Sequence, residues 1–209
     1  MTRRPEDVVE RRRDVALAGH NGDVATVRLA LADEDGRVRA TALGALARAG
    51  DLTTADLERA AQDVDPVVRR RVAEAAAAVD PPGAWEPVLA LLDDTDDSVV
   101  EAAAWACGEL TGLGERARSS AVDRLVRLTT DHEDALVREA AVAALGSIGD
   151  ARGLHAILVA TRDKPAVRRR AVLALAPFDG PEVDAALARA QEDRDWQVRQ
   201  AAADLTASS

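Results

Sequence analysis

Val-Arg dipeptides punctuate the 209-residue chain at Val38-Arg39, Val68-Arg69, Val137-Arg138, Val167-Arg168 and Val198-Arg199, and an altered copy, Val99-Val100, stands between the second and the third. The steps between successive Val residues are 30, 31, 38, 30 and 31. A fixed period in this range marks stacked supersecondary units, none of which can bury its apolar face alone. The cleanest copy is Asp134–Asp150, DALVREAAVAALGSIGD.

The residues around each Val-Arg predict a helix pair, a leading helix A and a Val-Arg helix B. The pairs read Asp23–Ala32 with Gly36–Ala49, Thr54–Gln62 with Pro66–Val79, Ala84–Leu92 with Asp97–Leu110, Ser120–Thr130 with Ala135–Ile148, Arg152–Arg162 with Pro165–Ala176, and Pro181–Glu192 with Trp196–Thr206. Asp35, Asp65, Asp96, Asp134 and Asp195 each stand three residues before the B-helix Val, where a carboxylate can cap free backbone N–H groups. Pair five carries Lys164 at that place, so Asp163 must serve or the cap is weaker. Gly50, Gly149 and Gly180 follow B helices as stop signals. With the Val as position 0, apolar residues recur at 0, 4, 5, 8 and 11, one stripe at about 100° per residue. Glu6–Ala18 reads as a cap helix with Arg11-Arg12-Arg13 and no clean Val-Arg.

Composition narrows the function classes. Aromatics are 2% of the chain and the formal charge is -10. That balance argues against general nucleic-acid or anionic-membrane binding, so neither is expected as a partner. One Cys excludes an intramolecular disulfide and a multi-Cys zinc site. No uncharged apolar run is long enough to span a bilayer, and the Arg and acids after Met1 do not read as a secretory leader, so the expected location is cytoplasmic. Lys164 is the one Lys beside many Arg, a bias of GC-rich bacterial genomes.

The pattern Asp-x-x-Val-Arg-x-x-Ala-x-x-Ala-Leu-Gly-x-Ile-Gly-Asp in Asp134–Asp150 resembles the HEAT-like repeat first named from phycobilin lyases, and the resemblance runs from about Asp23 to the C-terminus. It implies an all-α, right-handed α-solenoid (α-α superhelix) of about six HEAT-like pairs with an N-terminal capping helix, A helices convex and B helices concave. The expected organisation is a single solenoid over 1–209: cap helix 1–22, pairs one to three 23–110, a longer connection 111–120, and pairs four to six 121–209. The connection is either a longer link with extended flanking helices or a bend or recognition loop in mid-solenoid.

Three sets of residues are candidates for function. Arg39, Arg69, Arg138, Arg168 and Arg199 form a ladder that could bind phosphate but better suits pairing with turn aspartates of adjacent repeats. Those aspartates make an acidic edge, solvated or open to a basic partner or a divalent cation. The outward B-helix positions 2, 3 and 6 hold Arg70, Arg71, Glu74, Glu101, Trp105, Glu139, Arg169 and Arg170. Trp105 is either an interface anchor or packing against the next helix. With the Arg residues around it, it suits a partner with an apolar anchor and acidic flanks. Trp85 and Trp196 read as structural, and Cys107, on the buried stripe, as inert packing.

Deoxyhypusine hydroxylase, an iron enzyme of similar repeats, carries several His-Glu pairs. Here His132-Glu133 alone occurs, so no metal, cofactor or catalytic residue is assigned. The expected function is a non-catalytic scaffold that binds a protein or peptide on the concave face. The alternative is an accessory lyase- or hydroxylase-like HEAT protein that holds a small-molecule group in the groove.

Overall fold

The computed structural model describes residues 5–79, 83, 85–109 and 114–207. Among them every regular element is helical: α1 (Pro5–His20), α2 (Val24–Ala30), α3 (Gly36–Ala49), α4 (Thr54–Ala60), α5 (Pro66–Val79), α6 (Trp85–Leu91), α7 (Asp97–Glu109), α8 (Glu115–Asp131), α9 (Ala135–Ile148), α10 (Leu154–Ala160), α11 (Pro165–Ala174), α12 (Pro181–Gln191) and α13 (Trp196–Ala207), with a 3-10 turn at Ala151–Gly153 before α10. The chain is an α-solenoid. Its Val-Arg helices α3, α5, α7, α9, α11 and α13 stack side by side as one layer, and α2, α4, α6, α8, α10 and α12 form the other.

The A-to-B turns form as their sequence predicts. Asp35, Asp65, Asp96, Asp134 and Asp195 accept from the backbone N–H two residues on, at 2.7–3.0 Å. Each bond satisfies a first-turn donor that no helical carbonyl can reach. Lys164 makes no side-chain cap, and Asp163 does not replace it, so α11 starts without this bond. Gly50 and Gly149 end α3 and α9 in the left-handed region at φ 74° and 65°. Gly180 does not stop α11, which ends at Ala174; it lies at φ 114° immediately before α12.

The predicted stripe is the core. Val137, Ala141, Val142 and Leu145 are buried, as are Val167, Ala171, Val172 and Leu175, in layers that run on from repeat to repeat. Position 7 is buried as well, by Ala45, Ala75, Ala106, Ala144 and Ala174. Here neighbouring B helices come closest, against glycines at position 9. A Cβ on Gly108 would lie 3.0 Å from Ala144 Cα, and one on Gly146 would lie 2.6 Å from Ala174 Cα.

The same register shows what α1 is. Gly19 faces Ala45 as Gly108 faces Ala144, and Arg11 pairs with Asp33 at 3.1 Å as a ladder Arg would. The capping helix is therefore a degenerate B helix with Glu10 in the Val position, and it stacks on α3.

The Arg ladder ties successive turns. Arg39 donates to both Asp63 oxygens at 2.8 and 2.6 Å, and its third nitrogen donates to Asp33 O. Arg69 repeats this with Asp94 and Asp63 O, and Arg168 with Asp193 and Asp163 O. Arg199 in α13 donates to the carbonyls of Asp193 and Arg194. The ladder is interrupted once, and on both sides. Val100, which is buried, replaces the Arg, and His132 replaces the Asp of the following turn. His132 Nδ1 still accepts from the Asp134 N–H at 3.2 Å, the bond that Asp33, Asp63, Asp94 and Asp193 make in their turns.

The irregular step of 38 residues is absorbed largely by α8. Residues 115–120 of the expected connection are its first turns, Ala117 is buried, and Arg152 reaches back to Ser119 Oγ at 2.8 Å. Residues 110–113, the rest of the possible recognition loop, lie outside the described residues.

Candidate functional site: a groove on the Val-Arg helices

The B helices turn positions -1, 2, 3, 6, 9 and 10 away from the core, and between α5 and α11 these positions line a groove of about 690 Å³. Gly108, Ala140, Ala143, Ala144 and Gly146 make its floor, a consequence of the close B–B approach. Trp105 projects into it from the middle of α7, 47% exposed, so the indole is neither core nor covered by the next helix among the described residues. Leu136, Leu173 and Pro177 supply further apolar surface, with Leu136 58% exposed.

Of the residues singled out from the sequence, Arg70, Glu74, Glu101, Trp105, Glu139 and Arg170 line this groove. Arg71 does not; it points to Glu74, at 2.8 Å. Arg169 lines a smaller hollow of about 150 Å³ with Trp196, Gln197, Gln200 and Asp204, and Leu173 borders both. Trp196 is 65% exposed there, which corrects its reading as structural: it precedes the first inward position of α13, so its ring lies on the outer surface of the turn. Trp85 does pack on the core. Leu136, Leu173 and Pro177 were missed from the sequence. Their signal is apolar side chains off the buried stripe, a signal shared with Val67 at the position of Leu136 and with Trp105 at the position of Leu173.

The electrostatics of the groove differ from the acid-binding layout expected from its arginines. Arg70 and Arg71 both engage Glu74, at 3.1 and 2.8 Å. Arg170 Nε lies 3.6 Å from Glu139. Among the described residues no cation reaches Glu101 or Glu109. These two stand four residues before and after Trp105 and so share its face of α7.

The other candidates are structural. The guanidinium groups of Arg39, Arg69, Arg138 and Arg168 are spent on turn carboxylates and carbonyls, whereas Arg199, which is exposed, meets only the carbonyls of Asp193 and Arg194. Cys107 is buried, and burial pushes its thiol up to about 12. His132 Nε2 is 3.8 Å from Asp97, and among the described residues no group of three or more His, Cys, Asp or Glu is arranged to hold a metal ion. No helix among them is long and apolar enough to cross a membrane.

Comparison with known proteins agrees with this architecture. A family profile described as HEAT repeats matches residues 24–108 and 109–164. A search of curated proteins finds no match. Among solved structures, an engineered protein is similar at 22% identity and TM-score 0.67, over 88% of this chain and 96% of that one. A designed armadillo repeat protein in complex with peptide (KR)4 is similar at 18% identity and TM-score 0.63, over 86% and 96%. A computationally designed armadillo repeat protein for modular peptide recognition is similar at 19% identity and TM-score 0.61, over 92% and 97%.

Proposed function

Because the chain belongs to the HEAT repeat family, we propose that it is a non-catalytic scaffold that binds a protein or peptide segment along the groove of its Val-Arg helices. The observation that carries this reading is the placement of Trp105, half-exposed over a floor of small residues in the middle of the stack. A large rigid side chain held open beside a smooth floor has the make-up of an interface hot spot. Folds of the same kind have been built to hold peptides, which supports the choice of occupant. The repeat is a frame for binding and carries no chemistry of its own.

The test is a selection of random extended peptides on the immobilised protein, with each binder re-measured on Trp105→Ala. Binding should weaken by about 2 kcal/mol or more. The melting temperature should barely move, because surface substitutions usually stay within about 0.5 kcal/mol. A large stability loss in Trp105→Ala with no separate binding defect would make Trp105 part of the fold and overturn the reading.

A further inference from the structure

Resting on that reading of the groove, we propose that its occupant is a basic peptide segment that lays an Arg or Lys side chain over Trp105, between Glu101 and Glu109. Three observations converge. First, the cations of the groove are already engaged. Arg70 engages Glu74 and Arg170 faces Glu139, so each of the two cations that line the groove already meets a carboxylate, while Arg71, which also reaches Glu74, lies outside it. Second, the charges left over are the carboxylates of Glu101 and Glu109, which bracket the indole on one helix face and meet no cation among the described residues. Third, the indole is half-exposed, and its face attracts a cation through the ring quadrupole. A guanidinium there stacks on the ring while its edge donates to one carboxylate or the other. The chain's net charge of -10 adds a long-range field of the same sign.

The rest of the groove specifies what accompanies the cation. Leu136 on α9 and Leu173 on α11 are the next apolar features along the stack. Packed helices lie roughly 8–10 Å apart. An extended chain rises roughly 3.3–3.6 Å per residue. The matching segment therefore carries an apolar residue about three positions from its cation.

The experiment uses fluorescein-labelled Gly-Ser dodecapeptides with Arg and Leu three residues apart, and the same frame with Gln or Glu in place of Arg. Fluorescence anisotropy with the full chain should rank Arg above Gln above Glu, with a preference that shrinks in salt. Glu101→Gln with Glu109→Gln should weaken the Arg peptide about tenfold or more. Glu182→Gln with Asp184→Asn, on exposed positions of α12 in the other layer, makes the same change in net charge and should leave binding within about twofold. Equal losses in the two double variants would reduce the effect to net charge and overturn the inference. A Gln or Glu peptide that binds at least as well as Arg, and is lost in Trp105→Ala, would overturn the basic partner and leave the groove reading standing. If none of the three peptides binds, the inference also fails, and the library selection decides the groove reading by itself.

Discussion

Arg138 grips Asp163 with two nitrogens, Nε to Oδ2 at 2.6 Å and Nη2 to Oδ1 at 2.8 Å, while Nη1 donates to the carbonyls of His132 and Glu133 at 2.7 and 2.9 Å. One guanidinium thus holds the turn of its own repeat and the turn of the next. Both side chains are mostly buried, so the pair sits between the weak surface bridge and the costly interior one. A double-mutant cycle with Arg138→Met and Asp163→Ala isolates it. The expected coupling is about 1–3 kcal/mol by denaturant unfolding. Additive losses would mean that the Arg acts through its carbonyl contacts and the pair only sets geometry.

Acid should loosen the turns over a defined window. Hydrogen bonds from Arg37 and Arg152 hold the carboxyls of Asp35 and Asp150 at about 2, below their ordinary 3.8. Asp94, Asp163 and Asp193 are lowered as well, by Arg69, Arg138 and Arg168. A carboxylate whose folded pKa is depressed contributes stability above its unfolded value and loses it as pH falls through the folded one. Stability should therefore fall from about pH 4 towards pH 2. Asp150→Asn should be less stable at neutral pH and should lose less over that window. A variant with the wild-type slope would remove Asp150 from the account.

Two glycines in B helices should respond in opposite directions to the same change. A Cβ on Gly146 would press on the Ala174 backbone, which no rotamer can relieve. Gly146→Ala should cost about 1–3 kcal/mol by overpacking. A Cβ on Gly44 finds ordinary contact with Arg48 and Arg71. Gly44→Ala should stabilise by about 0.5–1 kcal/mol through helix propensity. Thermal melts of the two variants check this, and a Gly146→Ala variant that is not destabilised would contradict the close approach of α9 to α11.

Cys107 should be silent in the native protein. Its thiol is buried and pushed up to about 12, so almost no thiolate exists at neutral pH. Labelling by a thiol reagent should follow the opening of the third helix pair and accelerate in denaturant. Prompt stoichiometric labelling under native conditions would place Cys107 outside the core.

The solenoid was legible in the sequence because its information is local and periodic. The Val at position 0, the capping Asp three residues before it and the turn Asp paired to each Arg recur together, and each does its work within one repeat or against its neighbour. The register of α1 escaped this reading because Glu10 stands where the Val should be; two contacts across helices, Arg11 to Asp33 and Gly19 to Ala45, reveal it. The groove was half legible. Helical phase placed Arg70, Glu74, Glu101, Trp105, Glu139 and Arg170 on one face, since phase depends on spacing alone. It could not say that Arg70 and Arg71 would turn to Glu74 and Arg170 to Glu139, leaving Glu101 and Glu109 without a partner cation among the described residues. Nor could it say that Trp196 would lie open while Trp85 packed. Which charges remain free depends on the distances between side chains of stacked helices, and those distances exist only once Gly108 meets Ala144 and Gly146 meets Ala174.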